Sequence, residues 1–241
     1  MNTFLLFAAC SSLCTLVGAL PSLVVRNISH RGKDVLLAYT AGIMVAASTY
    51  GLLPSALKLS NLYVLTAGVL FGTLLLTAME LYIPHTDPSH TEGPEEGKQS
   101  LLLVAMLLHN LPEGLSTGIS LASGAAETGK LVATAIGLQN IPEGFLVSLF
   151  LITRKAGAAK AFLYSLAIAA AEWAASCLGY YFGTELSVLV PYGLAFAGGA
   201  MLYVVYKELL PESHGDGNEI PATFAFILGT LTMIGLVDLL G

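Results

Sequence analysis

Long apolar runs alternate with short polar breaks along almost the whole chain. A helix crossing a bilayer takes about 20 mainly apolar residues. On that measure the pattern predicts eight spans, near residues 3–25, 35–56, 62–83, 100–122, 130–152, 160–183, 188–210 and 220–239. The first run begins without basic residues and continues to about Val25. That is too long for a signal-peptide core, so a retained first span is expected. The connections are short apart from one of about 84–99, which is rich in Pro, Gly and acids and is expected to be mobile. The expected fold is an all-α integral membrane protein, with residues 1–241 as a single transmembrane domain.

Part of the pattern recurs. Moving along the chain by 157 residues takes Gly42 to Gly199, Met44 to Met201, and Leu52-Leu53-Pro54 to Leu209-Leu210-Pro211. The same step takes Thr66, Gly72, Thr73 and Leu74 to Thr223, Gly229, Thr230 and Leu231. Spans two and seven are five crossings apart and run in opposite directions. The expectation is an inverted three-helix repeat, spans 1–3 and 6–8, around a central antiparallel pair, spans 4–5. Inverted repeats that meet at a midplane site are characteristic of transporters. Span one shows no clear match to span six.

Composition agrees with the pattern. Hydrophobic residues make up 55% and charged residues 11%, against about 25% charged in soluble domains. Mean hydropathy is +0.76. The net charge of −6 argues against a nucleic-acid partner, which needs a basic footprint; the partner is the lipid bilayer. Basic residues collect in alternate loops: Arg26, Arg31 and Lys33 after span one, Lys98 after span three, and Arg154, Lys155 and Lys160 after span five. The opposite side offers Lys58 and Lys130. The positive-inside rule makes the first set cytoplasmic and both termini extracytoplasmic, in a multi-pass protein of the cell membrane. Cys10, Cys14 and Cys177 lie in spans and form no disulfide framework.

The exceptional residues lie in spans four and five. His109-Asn110-Leu111-Pro112-Glu113-Gly114 returns thirty residues later as Gln139-Asn140-Ile141-Pro142-Glu143-Gly144. At 100° per residue, His109 and Glu113 share a helix face and Asn110 borders it; Gln139, Asn140 and Glu143 repeat the arrangement. Glu172 falls midway through span six. A carboxylate at a helix centre costs roughly 2.5–3.5 kcal/mol on insertion scales, so three cost on the order of 8–10 kcal/mol. No Lys or Arg lies mid-span to neutralise them. They are therefore partly protonated, or they surround a cation. An imidazole with carboxylate and amide oxygens suits divalent transition metals. Pro112 and Pro142 each free a carbonyl four residues back, at Leu108 and Leu138, which needs a partner inside a span. A lone Asn or His would be interhelical glue. Two copies of Asn-x-Pro-Glu-Gly with a third acid at the same depth point beyond glue.

By this paired motif, its eight spans and its loop after span three, the chain resembles the ZIP family of zinc and iron permeases, most of all the compact bacterial members. The resemblance implies uptake of a divalent metal, zinc first, with cadmium, iron, manganese or cobalt open, and no cofactor beyond that metal. It implies a binuclear site: His109, Asn110 and Glu113 from span four, Gln139, Asn140 and Glu143 from span five, and Glu172 from span six, with Glu113 and Glu143 bridging. Many members carry His where this chain has Gln139, which leaves metal identity open. Glu80, His85, Glu208, Glu212 and His214 resemble an exit path, and Met44 is a candidate entry contact or a packing residue. A homodimer is compatible with this reading. The rivals are an intramembrane metal-dependent hydrolase, for which His-Glu-x-x-His is missing, and a metal sensor that does not transport.

Overall fold

Among the described residues eight long helices follow one another along the chain. The structure is a computed structural model and describes residues 2–25, 27–82, 95–124 and 126–240. The helices are α1 (Asn2–Ala19, extended by a 3-10 turn at Leu20–Leu23), α2 (His30–Leu59), α3 (Leu62–Tyr82) and α4 (Glu95–Ala122). Then come α5 (Ala126–Thr153), α6 (Ala158–Glu185), α7 (Ser187–Ser213) and α8 (Glu219–Leu240). Among the described residues all but α4 are by themselves long and apolar enough to cross a membrane. The run of α4 is broken by His109, Asn110 and Glu113. It lies along α6 and also touches α5 and α7, so protein rather than lipid receives its polar face.

Capping fixes the starts. Ser29 precedes α2 and its hydroxyl accepts from the Gly32 N–H at 3.1 Å. Asn61 accepts from the Tyr63 and Val64 N–H groups at 3.0 and 3.1 Å, satisfying donors that a helix N-terminus leaves free. The α5–α6 turn needs positive φ at Lys155 (59°) and Gly157 (81°).

Spans two and seven run beyond their expected limits of 56 and 210. Pro54 and Pro211 do not end them. Each helix widens into a π-helical stretch just before its proline, at Ala47–Leu52 and Val205–Leu209, and then resumes. The wider turn gives the proline ring room and redistributes the hydrogen bonds it cannot make. The two stretches fall on matching positions of the 157-residue step.

The packing repeats as well. The closely packed pairs are α1 with α5, α6 with α4, α2 with α8, and α7 with α3. Exchanging α1–α3 with α6–α8, and α4 with α5, maps this set onto itself, as an inverted repeat requires. The close approaches obey the same step. A Cβ on Gly72 would lie 2.3 Å from the Phe196 carbonyl oxygen, and one on Gly229 would lie 2.1 Å from that of Tyr39. Tyr39 and Phe196 are themselves 157 apart. Small residues let backbones touch where lipid provides no hydrophobic drive for association.

This register also supplies the match for span one that the sequence concealed. Gly144 of α5 meets the Thr15 carbonyl of α1 (2.1 Å from a built Cβ), and Gly114 of α4 meets the Glu172 carbonyl of α6 (2.3 Å). Thr15 and Glu172 are 157 residues apart. Thr15 is therefore the counterpart of Glu172.

A buried apolar core joins several of the helices. Leu52, Val132, Ile136 and Leu194 are buried together there, with Met44 and Met201. Met44 lies fourteen residues into α2 and is 1% exposed within this cluster. At the other end, α2 is tied to the close of α7 and the following turn. Lys33 pairs with Glu212 at 2.7 Å, His30 with Asp216 at 2.7 Å, and Asn218 donates to buried Asp34 at 2.9 Å.

Candidate metal site

The helix period dictates the local geometry. His109 and Glu113 stand one turn apart on α4, and Gln139 and Glu143 one turn apart on α5. Because Gly114 and Gly144 carry no Cβ, α6 and α1 come close behind these faces. The result is a buried polar cluster at the centre of α4, α5 and α6. Asn110, Glu113, Gln139, Asn140, Glu143 and Glu172 are all buried.

His109 is the hinge of the cluster. Its Nε2 lies 3.9 Å from Glu113 Oε1 and 3.9 Å from Glu143 Oε1. Its Nδ1 lies 3.9 Å from Glu208 Oε2 of α7. These are approaches rather than hydrogen bonds. One ligand atom from each of His109, Glu113 and Glu143 lies within 4.8 Å of the others, a spacing that one cation can close.

The amides are arranged differently. The Gln139 amide nitrogen donates to Glu113 Oε1. The Asn140 amide nitrogen donates to both Glu172 oxygens at 2.9 Å and to the Ser11 carbonyl of α1 at 3.1 Å. The Asn110 amide nitrogen donates to its own helix, at Met106 O, 2.9 Å. Each amide thereby turns its oxygen away. The oxygens Asn110 Oδ1, Glu113 Oε2, Gln139 Oε1, Asn140 Oδ1 and both of Glu143 are buried without a hydrogen-bond partner among the described residues. Buried polar atoms are almost always paired, and each exception requires a reason. Oxygens grouped beside an imidazole match the donor set of a divalent cation.

A small cleft of about 20 Å³ leads away from His109, lined by Leu76, Met79, Glu80, Leu108, Tyr203, Val204 and Glu208. Glu80 accepts from the Tyr203 hydroxyl and pairs with Lys207 at 3.3 Å. Of the residues expected along an exit, Glu80 and Glu208 line this cleft. Glu212 turns to Lys33, and His214 Nδ1 sits against Leu210 O and Ser213 Oγ. Neither lines it. His85 and most of the 84–99 connection lie outside the described residues; α4 already begins at Glu95.

Three residues escaped the sequence reading: Ser11, Ser12 and Thr15 of α1, all buried. Ser11 Oγ donates to Glu172 Oε1 at 3.2 Å. A signal was available in the sequence, since they are three hydroxyls at i, i+1 and i+4 on one face of an otherwise apolar first span.

The chain is similar to known transport proteins. The family model described as ZIP zinc transporter matches residues 84–237. The chain is 35% identical to zinc transporter GufA of Myxococcus xanthus, with all of both chains covered. It is 31% identical to zinc transporter ZIPB of Bordetella bronchiseptica, over 94% of this chain and 78% of that one. It is 28% identical to zinc transporter ZupT of Streptococcus mutans, over 96% and 95% of the two chains.

Proposed function

The chain belongs to the ZIP zinc transporter family, and from that premise we propose that it carries a divalent transition metal, zinc first, into the cytoplasm through a binuclear site at the membrane midplane. The observation that carries this is the group of partnerless buried oxygens beside His109. His109 and Gln139 belong to one metal position. Asn110, Asn140 and Glu172 belong to the other. Glu113 and Glu143 bridge the two.

The metal sheds its water on entry because buried oxygens replace it. Leu52, Val132, Ile136 and Leu194 are packed together in the apolar core, while the cleft opens from His109 past Glu208 and Glu80. That open end is the one where Lys33 meets Glu212. The basic loops put it in the cytoplasm and both termini outside. Release therefore passes from His109 to Glu208, 3.9 Å away. The inverted repeat suits alternating access, in which one bundle moves against the other. A homodimer belongs to the same proposal, and its mass in detergent tests it.

The hydrolase and sensor readings find no support. The matching family is one of transporters, and His109 is the one imidazole at the site among the described residues, thin ligation for a catalytic zinc. Reconstitution into liposomes decides the matter: zinc accumulates with the wild type and not with Glu143→Ala. Absence of flux with zinc, cadmium, manganese and iron alike would sink the proposal.

A further inference from the structure

Serine and threonine hydroxyls inside a span usually bond back to their own helix. Ser48, Thr73, Ser165 and Ser176 do so here, each to the carbonyl four residues earlier. Ser11 does not. Its hydroxyl leaves α1 and donates to Glu172 Oε1, 161 residues away. Its carbonyl, meanwhile, accepts from the Asn140 amide that holds both Glu172 oxygens. The Ser12 hydroxyl beside it is buried without a hydrogen-bond partner among the described residues.

We propose that Ser11 is a positioning residue for metal transport: α1 forms a fourth wall of the site and fixes which Glu172 oxygen is presented to the second metal position. The inference rests on the binuclear reading above. Glu172 is wholly buried and its side chain has several rotatable bonds. Ser11 holds one of its oxygens, so the other is left to face a cation once the Asn140 amide lets go. Outer partners of this kind orient a ligand and raise its affinity. Packing leaves little slack for any other arrangement, because α1 and α5 touch backbone to backbone at Gly144 and Thr15. The repeat adds a second argument. Thr15 stands on α1 where Glu172 stands on α6, so the site has a hydroxyl face opposite its acid face.

The test is zinc binding to the full-length protein purified in detergent, titrated for wild type, Ser11→Ala, Ser11→Thr and Glu172→Ala. The wild type takes up two zinc ions. In Ser11→Ala the Kd of the weaker of the two rises about tenfold, so that ion is lost at about tenfold higher free zinc than in the wild type, while the tighter one is unchanged. Ser11→Thr, which keeps the hydroxyl, restores the wild-type curve. Glu172→Ala takes up one zinc. If Ser11→Ala titrates like the wild type while Glu172→Ala loses a zinc, the role of Ser11 is overturned and the binuclear site stands. If Ser11→Ala and Ser11→Thr weaken both ions equally, the residue is merely structural and the proposal fails. If Glu172→Ala keeps both ions, the binuclear reading falls and Ser11 falls with it.

Discussion

The two motif copies share a backbone and differ in how they use it. Each places an acid one turn beyond its first polar residue, on antiparallel helices backed by a glycine contact. In the α4 copy, Asn110 donates to its own helix and His109 looks outward, toward the cleft and Glu208. In the α5 copy both amides cross to neighbours, Gln139 to Glu113 and Asn140 to Glu172 and Ser11. The flanking helices sharpen the difference, since an acid stands behind one copy and Thr15 behind the other. A two-fold scaffold would treat both directions across the membrane alike. Side chains break that symmetry: His109 of one copy reaches the cleft and Glu208, while both amides of the other are tied to neighbouring helices.

Loss of a proposed bridging acid should have the most severe consequence. Glu143→Ala or Glu113→Ala should cut zinc uptake by more than about 100-fold, beyond the loss that outer-shell partners give. Uptake into liposomes reads this, and residual flux near the wild type would deny the bridging role. Next comes the scaffold. Gly144→Ala puts a Cβ 2.1 Å from the Thr15 carbonyl oxygen, and overpacking of this kind costs about 1–3 kcal/mol or more. Thermal unfolding in detergent should show that loss, and Gly114→Ala should show a similar one against Glu172.

Exchanging the leading residues tests the asymmetry itself. His109→Gln makes the two copies alike and should weaken zinc relative to manganese, because an amide oxygen is a poorer zinc ligand than imidazole. Gln139→His should move the preference the other way. Competition uptake measures both, and an unchanged ratio in Gln139→His would mean that position does not select the metal. The smallest effect belongs to the surface. Lys33→Ala removes a half-exposed pair with Glu212 and should cost under about 1 kcal/mol, with uptake intact.

Much of this was legible from residues alone. Eight helices follow from run length, because a bilayer sets one ruler for every span. The seven polar residues from His109 to Glu172 stood out because each is costly in an apolar run, and the structure brings all of them into one cluster. The exit was only partly legible. Glu80 and Glu208 line the cleft, but Glu212 and His214, close by in sequence, turn elsewhere, since one further turn of α7 points a side chain to a different neighbour. Pro54 and Pro211 read as helix ends, because a proline's effect on its own segment is to stop it. The π-helical stretches that carry α2 and α7 past them are held by packing against other helices.

The number of spans, the fold class, the inverted repeat and the polar chemistry of spans four to six can all be read from the residues. Each is written in spacing along one helix or in residues too costly to be accidental. Other features appear once the helices are packed: Thr15 as the repeat counterpart of Glu172, Ser11 on the acid, and the cleft at one end. The reason is physical. A helix shows its own period in its sequence, but which hydroxyl leaves its own carbonyl for a carboxylate 161 residues away depends on how closely a glycine on a third helix lets two backbones approach.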